Sequence, residues 1–219
     1  MSKRTGSKQA ARVVREQLAR ERRRRRALWT SVVAAVVLLL AGLAGWAVVA
    51  NDQPRGTFAT PAAVSRADDS GIAIGSGPVS VDIYADFICP ACRQFEEVSA
   101  QTVTDLLAEG KITLVFHPVA FLDRTTSTEY STRASAASAC APDGDTYRKY
   151  ATALFANQPP EGGAGLSDDE LIRIAGTVGL TGEAFTRCAR DGTYRPWTAH
   201  VTEVASQRGV SGTPTILVA

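Results

Sequence analysis

Tyr84-Ala85-Asp86-Phe87-Ile88-Cys89-Pro90-Ala91-Cys92-Arg93-Gln94-Phe95-Glu96-Glu97-Val98 is the stretch whose reading decides the fold. It closes an apolar, β-branched run, Val79 to Phe87, and opens a helical pattern, so two thiols stand at the start of a helix. That placement suits redox exchange. A thiolate on Cys89 would lie on the unpaired N–H groups and at the positive end of the helix dipole, while Pro90 fits the first helical position because it has no N–H to leave unpaired. A stabilised thiolate has a low pKa and leaves readily. Spacing alone is modest support, because zinc sites use the same C-x-x-C interval.

Beyond Cys92 the apolar positions Phe95, Val98, Val103, Leu106 and Leu107 continue one helical face as far as Gly110, and Ile112 to Phe116 reads as a second buried strand. Strand, helix, strand makes a βαβ unit. From Leu122 to about Gly209 the pattern is wholly helical: an alanine-rich segment to Cys140, then Tyr147, Tyr150, Ala151, Leu154 and Phe155 on one face. Ser167 and Glu170 form a capping box for a helix carrying Leu171, Ile174, Ala175 and Val178, and shorter and longer helices come after it, around Phe185 and Cys188 and from Pro196 through Trp197, Val201, Val204 and Ala205 to Gly209. A strand returns only at Thr215 to Val218, preceded by Gly212, Thr213 and Pro214. A helical block is therefore inserted into an α/β domain. Thr213-Pro214 admits two readings: a trans proline tolerated at a strand's start, or a cis proline that turns the Thr213 backbone towards the C-x-x-C helix and a substrate segment.

The N-terminal fifty residues bear on where the thiols work. Residues 1–26 hold 11 Lys/Arg against Glu16 and Glu21, a net of +9, whereas the remainder carries a net of −7, so the total of +2 hides two opposite regions. No residue from Leu28 to Ala50 is charged, and a helix of that length spans about 34 Å, enough for a hydrocarbon core of roughly 30 Å. The run reads as a transmembrane helix with Trp29 and Trp46 at its interfaces. Arg22 to Arg26 on its N-terminal side keep the tail in the cytoplasm and direct the chain beyond Ala50 to export. A cleaved signal peptide ending near Val48 and Ala50 competes, but its apolar core is usually shorter. Topology and anionic lipid explain the basic tail more simply than nucleic acid does, so no nucleic-acid partner is expected. Residues 51–78, punctuated by Pro54, Gly56, Pro61, Gly71, Gly75, Gly77 and Pro78, read as a flexible linker in which Ile72 to Ile74 are a candidate short strand.

Four cysteines in an exported domain are expected to pair, and a zinc ribbon would want a second close pair. Cys140 and Cys188 have no helix-start C-x-x-C context, so they are read as a structural disulfide rather than a second redox couple.

Tyr84 to Val98 together with Gly209-Val210-Ser211-Gly212-Thr213-Pro214-Thr215 resembles the DsbA-like thioredoxin-fold disulfide oxidoreductases, over about Ile72 to Ala219. The resemblance implies an α/β thioredoxin-like fold with an inserted helical domain, preceded here by one transmembrane helix. It implies a cis Pro214, a nucleophilic Cys89 and a more buried resolving Cys92, with Pro90, Ala91, Thr213 and Pro214 shaping the substrate site. The division is then 1–27 basic tail, 28–50 membrane helix, 51–78 linker, 79–122 and 193–219 thioredoxin-like parts, and 123–192 helical insertion. The tail and anchor are similar to membrane-tethered actinobacterial members. That likeness implies re-oxidation by a quinone-linked membrane partner resembling the vitamin K epoxide reductase type. Many strongly oxidising members have His where this chain has Ala91, which removes one contributor to thiolate stabilisation. The family usually adds another strand and a closing helix beyond the position of Ala219, so the reading expects either a truncated sequence or an uncovered sheet edge.

Secondary candidates are read as structural first. His117, at a strand end, is read as a packing residue with modulation of the thiol site as the sharper alternative, His200 on the last helix as a surface or packing residue, and Trp197 as core. Glu96 and Glu97 belong to a solvated helix face, with a proton relay from Cys92 as the sharper alternative, and Asp86 is a similar relay candidate. The expected activity is introduction of disulfides into exported proteins with free thiols, through a Cys89–Cys92 couple, with no metal and no organic cofactor. A reductase or isomerase of the same fold is the near alternative. A non-catalytic copper-handling module is the distant one, with His117 its obvious extra ligand.

Overall fold

The structure is a computed structural model and describes residues 58–65 and 68–219. In chain order the elements are β1 (Ile72–Gly75), β2 (Val79–Ala85), α1 (Pro90–Ala108), β3 (Ile112–Pro118), a 3-10 turn (Asp123–Thr125), α2 (Tyr130–Ser138), α3 (Gly144–Ala156), α4 (Asp168–Thr177), α5 (Glu183–Asp191), α6 (Arg195–Gln207) and β4 (Thr215–Val218). The expected membrane span at 28–50 and basic tail lie outside the described residues. Among those described, no helix is long and apolar enough to cross a membrane.

The sheet order is β1-β3-β2-β4. β2 and β3 run parallel, from Val79 opposite Ile112 to Ala85 opposite Pro118, with α1 as the crossover between them. This is the βαβ unit expected from the strand, helix, strand pattern. β1 pairs antiparallel with β3, and β4 antiparallel with β2. The strands that pair on both sides carry the most buried side chains, including Tyr84, Leu114 and Phe116, because helices cover both faces of a sheet whose strands run parallel at its centre. α1 ends where Gly110 takes φ +64°, a left-handed conformation that glycine adopts without a Cβ penalty. Gly77 is required for space: a Cβ there would lie 2.3 Å from the Ile112 nitrogen, where the β1–β2 connection crosses the start of β3.

α2 to α5 form the helical block. Ser167 and Glu170 make the reciprocal capping box at the start of α4, as the sequence pattern predicts. α2 packs through small residues, with Ser131, Ala134, Ser135, Ala137 and Ser138 all buried, which lets its backbone approach neighbours closely. Trp197 of α6 is fully buried, and with Tyr130, Tyr147, Tyr150 and Phe155 it supplies the largest side chains of a core shared by sheet and helices.

One boundary differs from the sequence reading. The stretch expected as linker, 51–78, contributes β1 and more. Phe58, Ala63 and Val64 pack on the core, Val64 bridges Ile72, and Ser70 and Gly71 are buried. The indole N–H of Trp197 donates to the Asp69 carbonyl at 2.6 Å, and His200 Nε2 meets the Asp68 carbonyl at 3.0 Å. Polar, Pro- and Gly-rich composition signalled a flexible chain, but these backbone carbonyls are held by side chains of α6. The ordered domain thus begins before residue 79.

Candidate active site

Cys89 occupies the N-cap of α1, in extended conformation at φ −72° and ψ 118°, with Pro90 at the first helical position. Its carbonyl accepts from the Cys92 N–H at 3.1 Å and the Arg93 N–H at 3.2 Å, so the thiols sit on the first turn of a properly started helix. Both are free, in the reduced form. Cys92 is 1% exposed and Cys89 7%, while Pro90 and Ala91 form an exposed rim above them. Across from Cys89 lies the loop before β4. The Thr213–Pro214 peptide bond is cis, and the Cys89 thiol meets the Thr213 carbonyl at 3.4 Å. The structure therefore brings together Cys89, Cys92, Thr213 and Pro214, residues that the chain separates by more than a hundred positions.

The two thiols are driven apart electrostatically. Cys89 is pushed down to about 5, first by the hydrogen bond from the Cys92 thiol, against the opposing effect of burial, with Thr213 and the N–H groups of Cys92 and Ala91 adding to the drop. The neutral Cys89 side chain makes no capping hydrogen bond. These N–H groups favour its ionised form, as the unpaired donors and dipole of a helix start require. Cys92 moves the other way, because its proton is held by Cys89 and because it is buried. The arrangement is one stabilised thiolate served by one retained proton.

Two side chains that carried little or no signal in the sequence hold the loop in front of the helix. Asp86 is fully buried, and its carboxylate accepts from the Ile88 N–H at 3.1 Å, the Leu122 N–H at 2.9 Å and the Ser131 hydroxyl at 2.7 Å. Burial pushes this carboxyl up to about 6, only partly opposed by those three donors. It joins the loop to the β3 exit and to α2. From the other side Gln158, just past α3, donates through Nε2 to the carbonyls of Phe87 at 3.0 Å and Cys89 at 2.9 Å. Nothing in the sequence marks Gln158, because its partners lie about 70 positions away.

Replacing Asp86 by Ala leaves three donors without an acceptor in a buried setting, each worth about 1–3 kcal/mol when unpaired. The expected result is a loss of about 2–4 kcal/mol in urea unfolding, after local relaxation. The pH dependence has a definite sign. A carboxyl raised from 3.8 to about 6 favours the protonated folded form, so its contribution to stability is greatest below 3.8, declines as pH rises to about 6 and is level above it. Unfolding curves across this window should lose that slope in Asp86→Ala.

Glu96 corrects the solvated-face reading. It is buried, forms an ion pair with Arg148 of α3 and accepts from the Thr152 hydroxyl at 2.7 Å, which ties α1 to the helical block. Glu97 is the exposed one and pairs with Arg93 at 3.4 Å. His117 is a packing residue, as expected. Its ring stacks on Tyr84 with centroids 4.1 Å apart, Nδ1 meets the Ser70 carbonyl at 2.7 Å and Nε2 meets Asp82 at 2.9 Å. Cys140 and Cys188 form a disulfide with Cα atoms 6.0 Å apart, linking the end of α2 to α5. Among the described residues no group of three His, Cys, Asp or Glu side chains could hold a metal ion.

A parallel βαβ core with a dithiol at the helix start, faced by a cis-proline loop and carrying a helical insertion, defines a thioredoxin-fold thiol-disulfide oxidoreductase. The sequence model of the family described as Thioredoxin matches residues 68–219, and the chain belongs to that family. Among solved structures it is similar to reduced DsbA from Mycobacterium tuberculosis, with 29% identity, a TM-score of 0.60, and coverage of 68% of this chain and 82% of that one. It is likewise similar to the disulfide bond oxidoreductase DsbG of the same organism, with 30% identity, a TM-score of 0.61, and coverage of 69% and 78%. Serine/threonine-protein kinase PknE of M. tuberculosis is 33% identical over 162 residues, which cover 68% of this chain and 28% of the kinase. The chain thus spans little more than a quarter of the curated relatives it matches, and it contains no G-x-G-x-x-G phosphate loop of the kinase kind.

Proposed function

We propose that the protein is a DsbA-like, extracytoplasmic oxidant that introduces disulfides into exported proteins. The observation that carries this reading is the placement of the thiols, Cys89 at the start of α1 facing the Thr213 carbonyl and Cys92 buried behind it, an arrangement that drives Cys89 down to about 5 and Cys92 upward. A stable Cys89 thiolate favours the reduced protein, so the Cys89–Cys92 disulfide is a strong acceptor of electrons.

In the proposed reaction a substrate thiolate attacks Cys89 Sγ of that disulfide. The new sulfur–sulfur bond forms as the Cys89–Cys92 bond breaks, and Cys92 leaves as a thiolate that takes up a proton. The mixed disulfide lies against Thr213 and Pro214. A second substrate thiolate then attacks the substrate sulfur, and Cys89 departs as the stabilised thiolate. Two electrons pass from the substrate dithiol to the protein. Ala91 contributes no charge to this balance, and the largest cause of the drop at Cys89 is the hydrogen bond from the Cys92 thiol.

The basic tail and uncharged run at 28–50 support a single-pass anchor with the N-terminus in the cytoplasm and the dithiol domain outside. Re-oxidation then falls to a membrane partner of the quinone-linked, vitamin K epoxide reductase-like kind, which accepts two electrons and two protons. The copper-handling alternative loses its extra ligand, because both ring nitrogens of His117 already meet oxygen atoms.

Equilibration with glutathione buffers tests the direction of transfer. The couple should stand closer to the roughly −120 mV of a strong oxidant than to the roughly −270 mV of thioredoxin. A value at or below the thioredoxin range would assign the protein to reduction.

A further inference from the structure

Beside the thiol site lies a cavity of about 400 Å³ bounded by Phe121, Arg124, Ser206, Gly209, Val210 and Ser211. Its wall is the chain that runs directly into Gly212-Thr213-Pro214, and Ser211 stands two residues before the carbonyl facing Cys89 Sγ. Two residues of chain cover at most about 7 Å, so Ser211 lies no farther than that from Thr213. A polypeptide held against Thr213 with its cysteine at Cys89 would therefore place a residue near that cysteine over this cavity.

The lining combines two apolar side chains, Phe121 and Val210, with the hydroxyls of Ser206 and Ser211 and the guanidinium of Arg124. Val210 is buried and Phe121 half-buried, whereas Arg124 is exposed, and none of the six lining residues is acidic. Among the described residues Arg124 is in no ion pair. Its sequence neighbour Asp123 is turned to other work, accepting from the Thr132 N–H at 3.1 Å and the Thr132 hydroxyl at 2.5 Å. Arg208, at the end of the same α6, is by contrast bound to Asp68 and to the Tyr84 hydroxyl. Among the described residues one guanidinium is thus left with its planar fork of donors free beside Phe121 and Val210, in a cavity with room for a side chain and its water. The chemistry that fits is a carboxylate on a short aliphatic stem.

The geometry points to a side-chain subsite in which Arg124 selects substrate segments carrying an acidic residue within two or three positions of the reacting cysteine. This rests on the reading that Cys89 exchanges with polypeptide thiols. Arg124 acts on substrate choice, through the side chain that a bound segment offers to its guanidinium.

The experiment compares oxidation rates of dithiol peptides by the full-length oxidised protein. Two series carry Glu or Gln two residues before, or two residues after, the first cysteine. In one series the wild type should oxidise the Glu peptide about threefold to fivefold faster than the Gln peptide, relative to the same ratio in Arg124→Gln, a comparison that cancels the effect of Glu on the peptide's own thiol. Arg124→Glu should reverse the preference, and 1 M salt should flatten it in the wild type. Oxidation of the uncharged thiol dithiothreitol should be equal in all three proteins. A Glu-to-Gln ratio unchanged by Arg124→Gln in both series overturns the subsite. Failure of the wild type to oxidise either peptide or dithiothreitol would instead overturn the oxidoreductase reading on which it rests.

Discussion

Cys89→Ser reduces exchange with peptide and protein thiols by about three orders of magnitude or more, to the uncatalysed background. A hydroxyl does not ionise near neutral pH and forms no disulfide, so both attack and departure are lost at once. Cys92 cannot substitute. It is 1% exposed, and it loses the thiolate that holds its proton in place. The remaining Cys92 thiol should therefore react slowly with a bulky maleimide in Cys89→Ser, yet rapidly after unfolding. Cys92→Ser gives the complementary result. Cys89 still forms a mixed disulfide with an oxidised peptide, but nothing inside the protein resolves it, so a covalent adduct accumulates on a non-reducing gel. The Cys89 shift should shrink in that variant, because the largest contribution to it is the hydrogen bond from the Cys92 thiol. If Cys92→Ser turned over peptides at the wild-type rate, the division of labour between the two sulfurs would be wrong.

The second large effect concerns stability. The double variant Cys140→Ser/Cys188→Ser opens a loop whose ends are 48 positions apart, which in the chain-entropy view removes about 4 kcal/mol. For a domain of this size that corresponds to a fall of roughly 8–16 °C in Tm. The helical block has reason to depend on this cross-link. The buried face of α2 is made of Ser131, Ala134, Ser135, Ala137 and Ser138, each of which removes little apolar surface from water. Exchange through Cys89 should persist in the folded double variant at low temperature, since neither sulfur of the bridge is near the α1 N-terminus in the chain or in its hydrogen bonds. A change in Tm of under 2 °C, or loss of exchange with the fold intact, would contradict the structural assignment of this pair.

How much of this was legible depended on whether a signal was local. Pro90 after Cys89, the β-branched run before it and the Ser167–Glu170 spacing act within a turn or two of chain, and the structure places α1, β2 and α4 where those residues indicate. Thr213-Pro214 was a local dipeptide open to two geometries, and it is cis. Residues whose function comes from distant partners were not readable. Glu96 looked like one of two solvated glutamates until Arg148 and Thr152, more than fifty positions on, enclosed it. Asp86 looked like a proton relay of low promise, but three donors from three segments make it a clamp on the loop. Residues 58–71 looked like leash because composition reports flexibility only when nothing holds the backbone, and Trp197 and His200 do hold it.

The most direct test of the redox assignment is the ionisation of one sulfur. Ultraviolet titration of the thiolate in the reduced protein, with Cys89→Ser as the blank, should show a single transition at about 5 that the blank lacks. The ionised thiol adds stability to the reduced protein that is full above the ordinary thiol value of about 8.5, declines as pH falls from there to about 5 and is gone below it. A transition near the ordinary thiol value of about 8.5 would contradict the stabilised thiolate and, with it, the oxidant.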